Sequence, residues 1–71
     1  MNKSRKGTVG LIGLGYVGLP LLLLINRSHD VLGFDIDEKK INALKNNKSY
    51  ISDISNVEIK KINKKKIFNL Q

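Results

Sequence analysis

Apolar residues come in short blocks along this chain, set between polar stretches rich in asparagine and lysine. Thr8-Val9-Gly10-Leu11-Ile12 is a β-branched apolar run bounded by glycines. Apolar on both faces, it predicts a central strand of a parallel sheet. Leu19 and Leu21 to Ile25 then form a segment apolar almost all round. That pattern predicts a helix starting near Tyr16 and buried between the sheet and a further layer. Pro20 falls within its first turn, where a missing N–H breaks no internal hydrogen bond. Asn26-Arg27-Ser28 ends the helix, and Asp30-Val31-Leu32-Gly33-Phe34-Asp35 predicts a second buried strand finishing on a carboxylate.

The second half is more polar. Asp37 is the expected N-cap of a helix from Glu38 to about Asn46, with Glu38 in its first turn and Lys45 in its last. Ile41 and Leu44 give it a narrow apolar face, and Asn46-Asn47 can supply a left-handed stop. Lys48 to Ile51 reads as a loop or short extended piece. Ser55-Asn56-Val57-Glu58 has capping-box spacing and predicts a short helix carrying Val57 and Ile62. Lys64-Lys65-Lys66 would be its solvated end, and Ile67 to Leu70 the start of a third strand. The expected fold is therefore α/β: a β-α-β-α unit on a parallel, incomplete sheet. It forms a single domain over 1–71, with residues 1–7 as a flexible lead-in. No internal repeat or low-complexity linker interrupts it.

Composition narrows the function classes. Seventy-one residues allow one small folding unit. With no cysteine there is no disulfide framework, no thiolate metal site and no cysteine nucleophile. No metal site is expected. The net charge of +7 permits a polyanion partner. Lys, Asn and Ile, however, make up 28 of the 71 residues, a bias that an AT-rich coding sequence produces without such a partner. The charge also lacks interleaved aromatics or a nucleic-acid-reading motif, so nucleic-acid binding is disfavoured.

Gly7 to Ile25 is uncharged and follows Lys3, Arg5 and Lys6, which imitates a signal peptide or membrane span. Five of those 19 residues are glycine and one is Pro20. The continuous apolar part, Leu21 to Ile25, is far shorter than the ~20 residues a span needs. No small-residue cleavage site follows, so a cytoplasmic location is expected, with no membrane span.

The chemistry concentrates in Gly13-Leu14-Gly15-Tyr16-Val17-Gly18, where the first strand runs into the first helix. In a dinucleotide-binding βαβ unit the first glycine allows the tight turn. The second lets the pyrophosphate approach, and the third lets the helix pack on the strand. Free N–H groups near Tyr16 and Val17 would point at the anion along the helix dipole. The glycine spacing alone is weak, but Asp35 closes the second strand 20 residues after Gly15, where a ribose-binding acid belongs. A carboxylate there accepts from both adenosine ribose hydroxyls and repels a 2′-phosphate, which favours NAD over NADP. Lys40 could reach the same ribose or the phosphates. His29 falls in the helix-to-strand connection, at the wrong end of the sheet for a cofactor, and is read as structural or surface.

Gly13-Leu14-Gly15-Tyr16-Val17-Gly18-Leu19-Pro20, with Gly33-Phe34-Asp35-Ile36-Asp37 and Lys40-Ile41, resembles the N-terminus of the UDP-glucose/GDP-mannose dehydrogenase family. Lys48-Ser49-Tyr50-Ile51-Ser52-Asp53-Ile54 is most similar to the nucleotide-sugar 6-dehydrogenases acting on UDP-N-acetylhexosamines. The resemblance covers nearly all of the chain after Thr8. It implies a Rossmann fold and NAD, with the acid at Asp35 and the lysine at Lys40 contacting the adenosine part. It further implies two successive NAD-dependent oxidations of a UDP-sugar C6 alcohol to a carboxylate, in surface polysaccharide synthesis.

The family's nucleophilic cysteine, its catalytic lysine and its sugar-binding domain are not in this sequence. Asn47 and Ser28 stand where relatives usually carry glycine; both residue types suit loops. The expectation is a first βαβ portion of such an enzyme, a fragment or a truncated reading frame, unable to perform the reaction alone. The UDP-sugar would be a partner only of a full-length enzyme, and the remaining chain or a homo-oligomer would cover the apolar surface. Two other classes compete: a small basic protein binding nucleic acid or a partner through Lys60 to Lys66, and a non-functional truncation product.

Overall fold

The structure, a computed structural model, describes residues 6–71. Its elements run β1 (Thr8–Ile12), α1 (Gly18–Ile25), β2 (Asp30–Asp35), α2 (Glu38–Lys45), α3 (Asn56–Asn63) and β3 (Phe68–Leu70). All three strands are parallel in the order β1-β2-β3, with Thr8 opposite Asp30, Ile12 opposite Phe34 and Gly33 opposite Phe68. This is how the first half of a doubly wound nucleotide-binding sheet is laid down. The α/β class and parallel sheet are as expected, with α3 and β3 following the βαβα unit.

β2 is, among the described residues, the strand flanked on both sides. Among the described residues β1 has a single neighbour, and Ile12 at its end is 67% exposed. A run apolar on both faces signals burial, but it does not say which strand gains two neighbours within a given stretch of chain. Along β2, Val31, Gly33 and Asp35 are buried while Leu32 is exposed, so one face of the sheet carries the helices. The opposite face presents Gly10, Ile12, Leu32 and Phe34, with the Phe34 ring over Gly10.

The core joins Leu14, Leu19 and Leu22 to Val31, Ile41, Leu44, Ile51, Ile54, Ile59, Ile62, Ile67 and Phe68. α1 is buried on one side only: Leu19 and Leu22 are covered, whereas Leu21 and Leu24 face outward, Leu24 at 57% exposed. The all-round burial expected of this helix is therefore not met within the described residues, because the further layer over its outer side is not formed by them. In α3 the inward residues are Ile59 and Ile62, while Val57 is 61% exposed. Val57 sits about 200° around the helix from Ile59, so the two cannot share a face.

The predicted caps hold. Asp37 accepts from the Lys39 N–H at 2.9 Å. Ser55 and Glu58 form the reciprocal capping box, Ser55 Oγ accepting from Glu58 N–H and Glu58 Oε1 from Ser55 N–H. Asn47 adopts the left-handed conformation (φ 62°) that stops α2. Asn63 of α3 then donates through Nδ2 to the carbonyls of Leu44 and Lys45 and to Asn47 Oδ1, tying the two helix ends together. Residues 1–5 of the expected flexible lead-in lie outside the described residues. Lys6 N–H donates to the Ser28 carbonyl, and the Gly7 carbonyl accepts from Asp30 N–H.

Candidate functional site

β1 ends at Ile12 and delivers the chain to the turn Gly13–Gly18 at the C-terminal edge of the sheet. There the Gly13 N–H still donates to the Phe34 carbonyl at 2.8 Å, so the turn starts from a fixed point. Gly13 has φ +96°, a backbone conformation side chains resist. A Cβ at Gly18 would lie 1.7 Å from the Gly13 carbonyl oxygen, so the helix start presses directly on the turn. Gly15 differs from both. Its φ is ordinary, and a Cβ there would meet only the mobile end of Lys40, at 3.8 Å. Nothing in the protein's own packing requires glycine at position 15.

α1 is regular from Gly18, two residues later than expected, although the Leu19 N–H already donates to the Gly15 carbonyl. Val17 at the N-cap makes no side-chain cap, and the first turn holds no acidic residue. Among the described residues the N–H groups of Gly15, Tyr16 and Val17 have no acceptor. Tyr16 and Val17 project into solvent, Tyr16 at 81% exposed. Donors left unsatisfied at a helix start are ready to receive an anion.

Asp35 ends β2 beside this turn and is only 6% exposed. Its Oδ2 accepts from Leu14 N–H and its Oδ1 from Asp37 N–H, both at 2.8 Å. These two bonds hold its carboxyl below the usual carboxylate range. Burial opposes the shift, and the Lys40 charge and the Ile36 N–H reinforce it. A carboxylate oxygen can accept more than one hydrogen bond, so Leu14 and Asp37 do not exhaust the lone pairs of Asp35. Leu14 enters the site from beneath: its side chain is fully buried and its only N–H is committed to Asp35. The donors open to a ligand therefore include those of Gly15, Tyr16 and Val17.

Gly15, Tyr16, Lys39, Lys40, Ala43, Tyr50 and Ile51 line a cleft of about 310 Å³. The Lys40 ammonium stands 6.0 Å over the Tyr50 ring. A larger groove of about 700 Å³ between α1 and α3 shares Tyr16 with this cleft but lacks Gly15 and Lys40, and Asp35 lines neither. The structure thus gathers Gly13 to Gly18, Asp35 and Lys40 at one edge of the sheet. His29 lies at the opposite end, hydrogen-bonded through Nδ1 to Ser28 Oγ. Sequence reasoning missed Tyr50 as part of the site. Its hydroxyl donates to the Leu14 carbonyl, across 36 positions of chain. An aromatic residue in a loop carries no local signal for such a contact.

Among the described residues no cluster of His, Cys, Asp or Glu could hold a metal ion, and no helix is long and apolar enough to cross a membrane. Residues 7–70 match the sequence model of the NAD binding domain of the UDP-glucose/GDP-mannose dehydrogenase family. The chain is similar to Protein CapL of Staphylococcus aureus, 40% identical over 55 residues, 78% of this chain and 13% of that protein. It is 53% identical over 38 residues to UDP-N-acetyl-D-glucosamine 6-dehydrogenase of Salmonella typhi, 54% of this chain and 9% of that protein. To the enzyme of the same name from Pseudomonas aeruginosa it is 36% identical over 64 residues, 89% of this chain and 15% of that protein. The matches thus span between about a tenth and a seventh of the relatives' length. No solved structure matches.

Proposed function

The chain belongs to the UDP-glucose/GDP-mannose dehydrogenase family, matching its NAD-binding domain, and from that premise we propose how its residues hold the cofactor. Gly15, Tyr16 and Val17 offer their N–H groups to the pyrophosphate, while Gly13 and Gly18 shape the turn that presents them. Leu14 anchors that turn from the core. Asp35 accepts from the adenosine ribose hydroxyls with the lone pairs its backbone donors leave open, and Lys40 adds positive charge at the mouth. Asp35 thereby disfavours a 2′-phosphate.

The observation that carries this reading is Gly15: glycine at a position where neither backbone strain nor a neighbouring atom demands it, facing a cleft with unpaired donors on one side and Lys40 on the other. Bound NAD supplies a hydride acceptor.

As part of a longer enzyme, the domain would serve oxidation of a UDP-sugar C6 alcohol to a carboxylate, in the cytoplasm. Further chain, or a second copy, would cover the outer side of α1 and the sheet face bearing Ile12 and Leu32. Calorimetric titration tests the cofactor site: Gly15→Val should abolish NAD binding, and Asp35→Ala should weaken NAD and narrow its advantage over NADP. Unchanged NAD affinity in Gly15→Val would reject the site. An unchanged NAD-to-NADP ratio in Asp35→Ala would reject the ribose role.

A further inference from the structure

We propose that Tyr50 is a positioning residue of the dinucleotide site, fixing the peptide from which the anion-binding N–H groups project. The inference rests on the reading of the site given above and extends it to a residue outside the glycine turn, β2 and α2.

Leu14 is the pivot. Its N–H donates to Asp35 Oδ2 and its carbonyl accepts from the Tyr50 hydroxyl, so side chains from two separate segments grip both polar groups of one residue. Its own side chain is fully buried. The peptide joining Leu14 to Gly15 carries the Leu14 carbonyl on one side and the Gly15 N–H on the other, and it is planar. Holding the carbonyl therefore aims the N–H. Gly15 has no side chain to restrict it, and among the described residues its N–H has no acceptor of its own. Without Tyr50 the aim of that donor would rest on Gly15, the residue least able to hold it. The Tyr50 ring also walls the cleft beside Gly15 and Lys40, so the residue that sets the donor borders the space the ligand enters. The hydroxyl reaches Leu14 because Tyr50 leads into Ile51, whose side chain is buried in the core.

The contribution is made before ligand arrives, by removing freedom that binding would otherwise have to remove. Tyr50→Phe keeps the ring and deletes the hydroxyl. In the full chain, titrated with NAD and separately with adenosine and read by amide chemical shifts, this variant should bind NAD about fivefold more weakly, the factor one ordinary hydrogen bond is worth. Adenosine, which has no phosphate to meet the turn, should bind within about twofold of wild type. Equal NAD affinity in the two proteins overturns the proposal. So does an equal loss for NAD and adenosine, the signature of a merely structural tyrosine. Should wild type bind neither ligand, the site reading itself fails, and this inference with it.

A second measurement needs no variant. In the ligand-free wild-type protein, the amide order parameters of Gly15 and Tyr16 should equal those of the strands, about 0.85; values below about 0.6, typical of a flexible loop, overturn it.

Discussion

Gly15 and Gly18 belong to one fingerprint, yet the structure assigns them opposite vulnerabilities, and replacing each by alanine separates folding from binding. At Gly18 the added Cβ would stand 1.7 Å from the Gly13 carbonyl oxygen and 2.9 Å from its carbon. Both atoms are backbone, in a turn whose first residue is pinned to β2 by the Gly13 N–H bond to Phe34. No side-chain rotation can relieve the clash, so the helix start must shift by more than an ångström. Overpacking a rigid site costs about 1–3 kcal/mol and occasionally more. A domain of this size has only about 4–10 kcal/mol of stability in all. At about 4–8 °C per kcal/mol, Gly18→Ala should lower the melting temperature by about 5–25 °C.

At Gly15 the Cβ meets only the end of Lys40, at 3.8 Å, and the backbone conformation is one alanine adopts. Removing glycine's freedom in the unfolded chain then stabilises by about 0.4–1 kcal/mol. Gly15→Ala should therefore melt at or slightly above the wild-type temperature while losing tenfold or more in NAD affinity, because its methyl occupies the approach to the donors. Circular-dichroism melts and calorimetric NAD titrations on the three proteins decide the matter. A Gly18→Ala protein that melts with wild type, or a Gly15→Ala protein that binds NAD as wild type does, refutes the assignment.

Two further outcomes follow from the same geometry. Because Leu14 and Asp37 N–H groups lower the Asp35 pKa in the fold, its contribution to stability is complete above the ordinary aspartate value near 4 and fades as pH falls through the lowered one. Urea melts from pH 6 to 2 should show Asp35→Asn less stable at pH 6 and the gap closing in acid; a gap independent of pH would remove the carboxylate from this role. On α3, Ile59→Ala should cost about 2–5 kcal/mol and Val57→Ala under about 0.5, since one side chain is fully buried and the other exposed, and equal losses in urea melts would contradict the packing described.

What the sequence disclosed and what it hid divide along range. Capping residues act within three or four positions, so Asp37 and Ser55 could be assigned from spacing alone. The strand bounded by Asp30 and Asp35 was legible because its apolar run ends on charges at both sides. Which neighbours β1 has among the described residues was not legible, because apolar residues announce burial without naming the neighbour that provides it. Val57 was misplaced for a simpler reason: Val57 and Ile62 are five apart, a spacing that puts them on different faces of a helix. The turn glycines were recognisable as a set, whereas their separate duties depend on distances to Gly13 and Lys40 that no spacing encodes. Tyr50 lies furthest beyond reach, 36 positions from the carbonyl it holds.

Leu14 shows why the fold and the site cannot be treated as independent. Its side chain is part of the core, its N–H fixes the Asp35 carboxylate, and its carbonyl receives the Tyr50 hydroxyl. A ligand that uses the Gly15 N–H and the Asp35 oxygens therefore presses on both ends of one buried residue. Any change that loosens the core around Leu14 misaligns donor and acceptor together, so binding should be more sensitive to core packing here than in a site built from surface side chains. The converse also holds. Asp35 and Tyr50 satisfy backbone groups beside a buried residue, so they stabilise the domain even when no ligand is bound. Substitutions at either position must be judged by affinity and melting temperature together, since only a loss of affinity beyond that of a ligand unable to touch the turn reports on positioning.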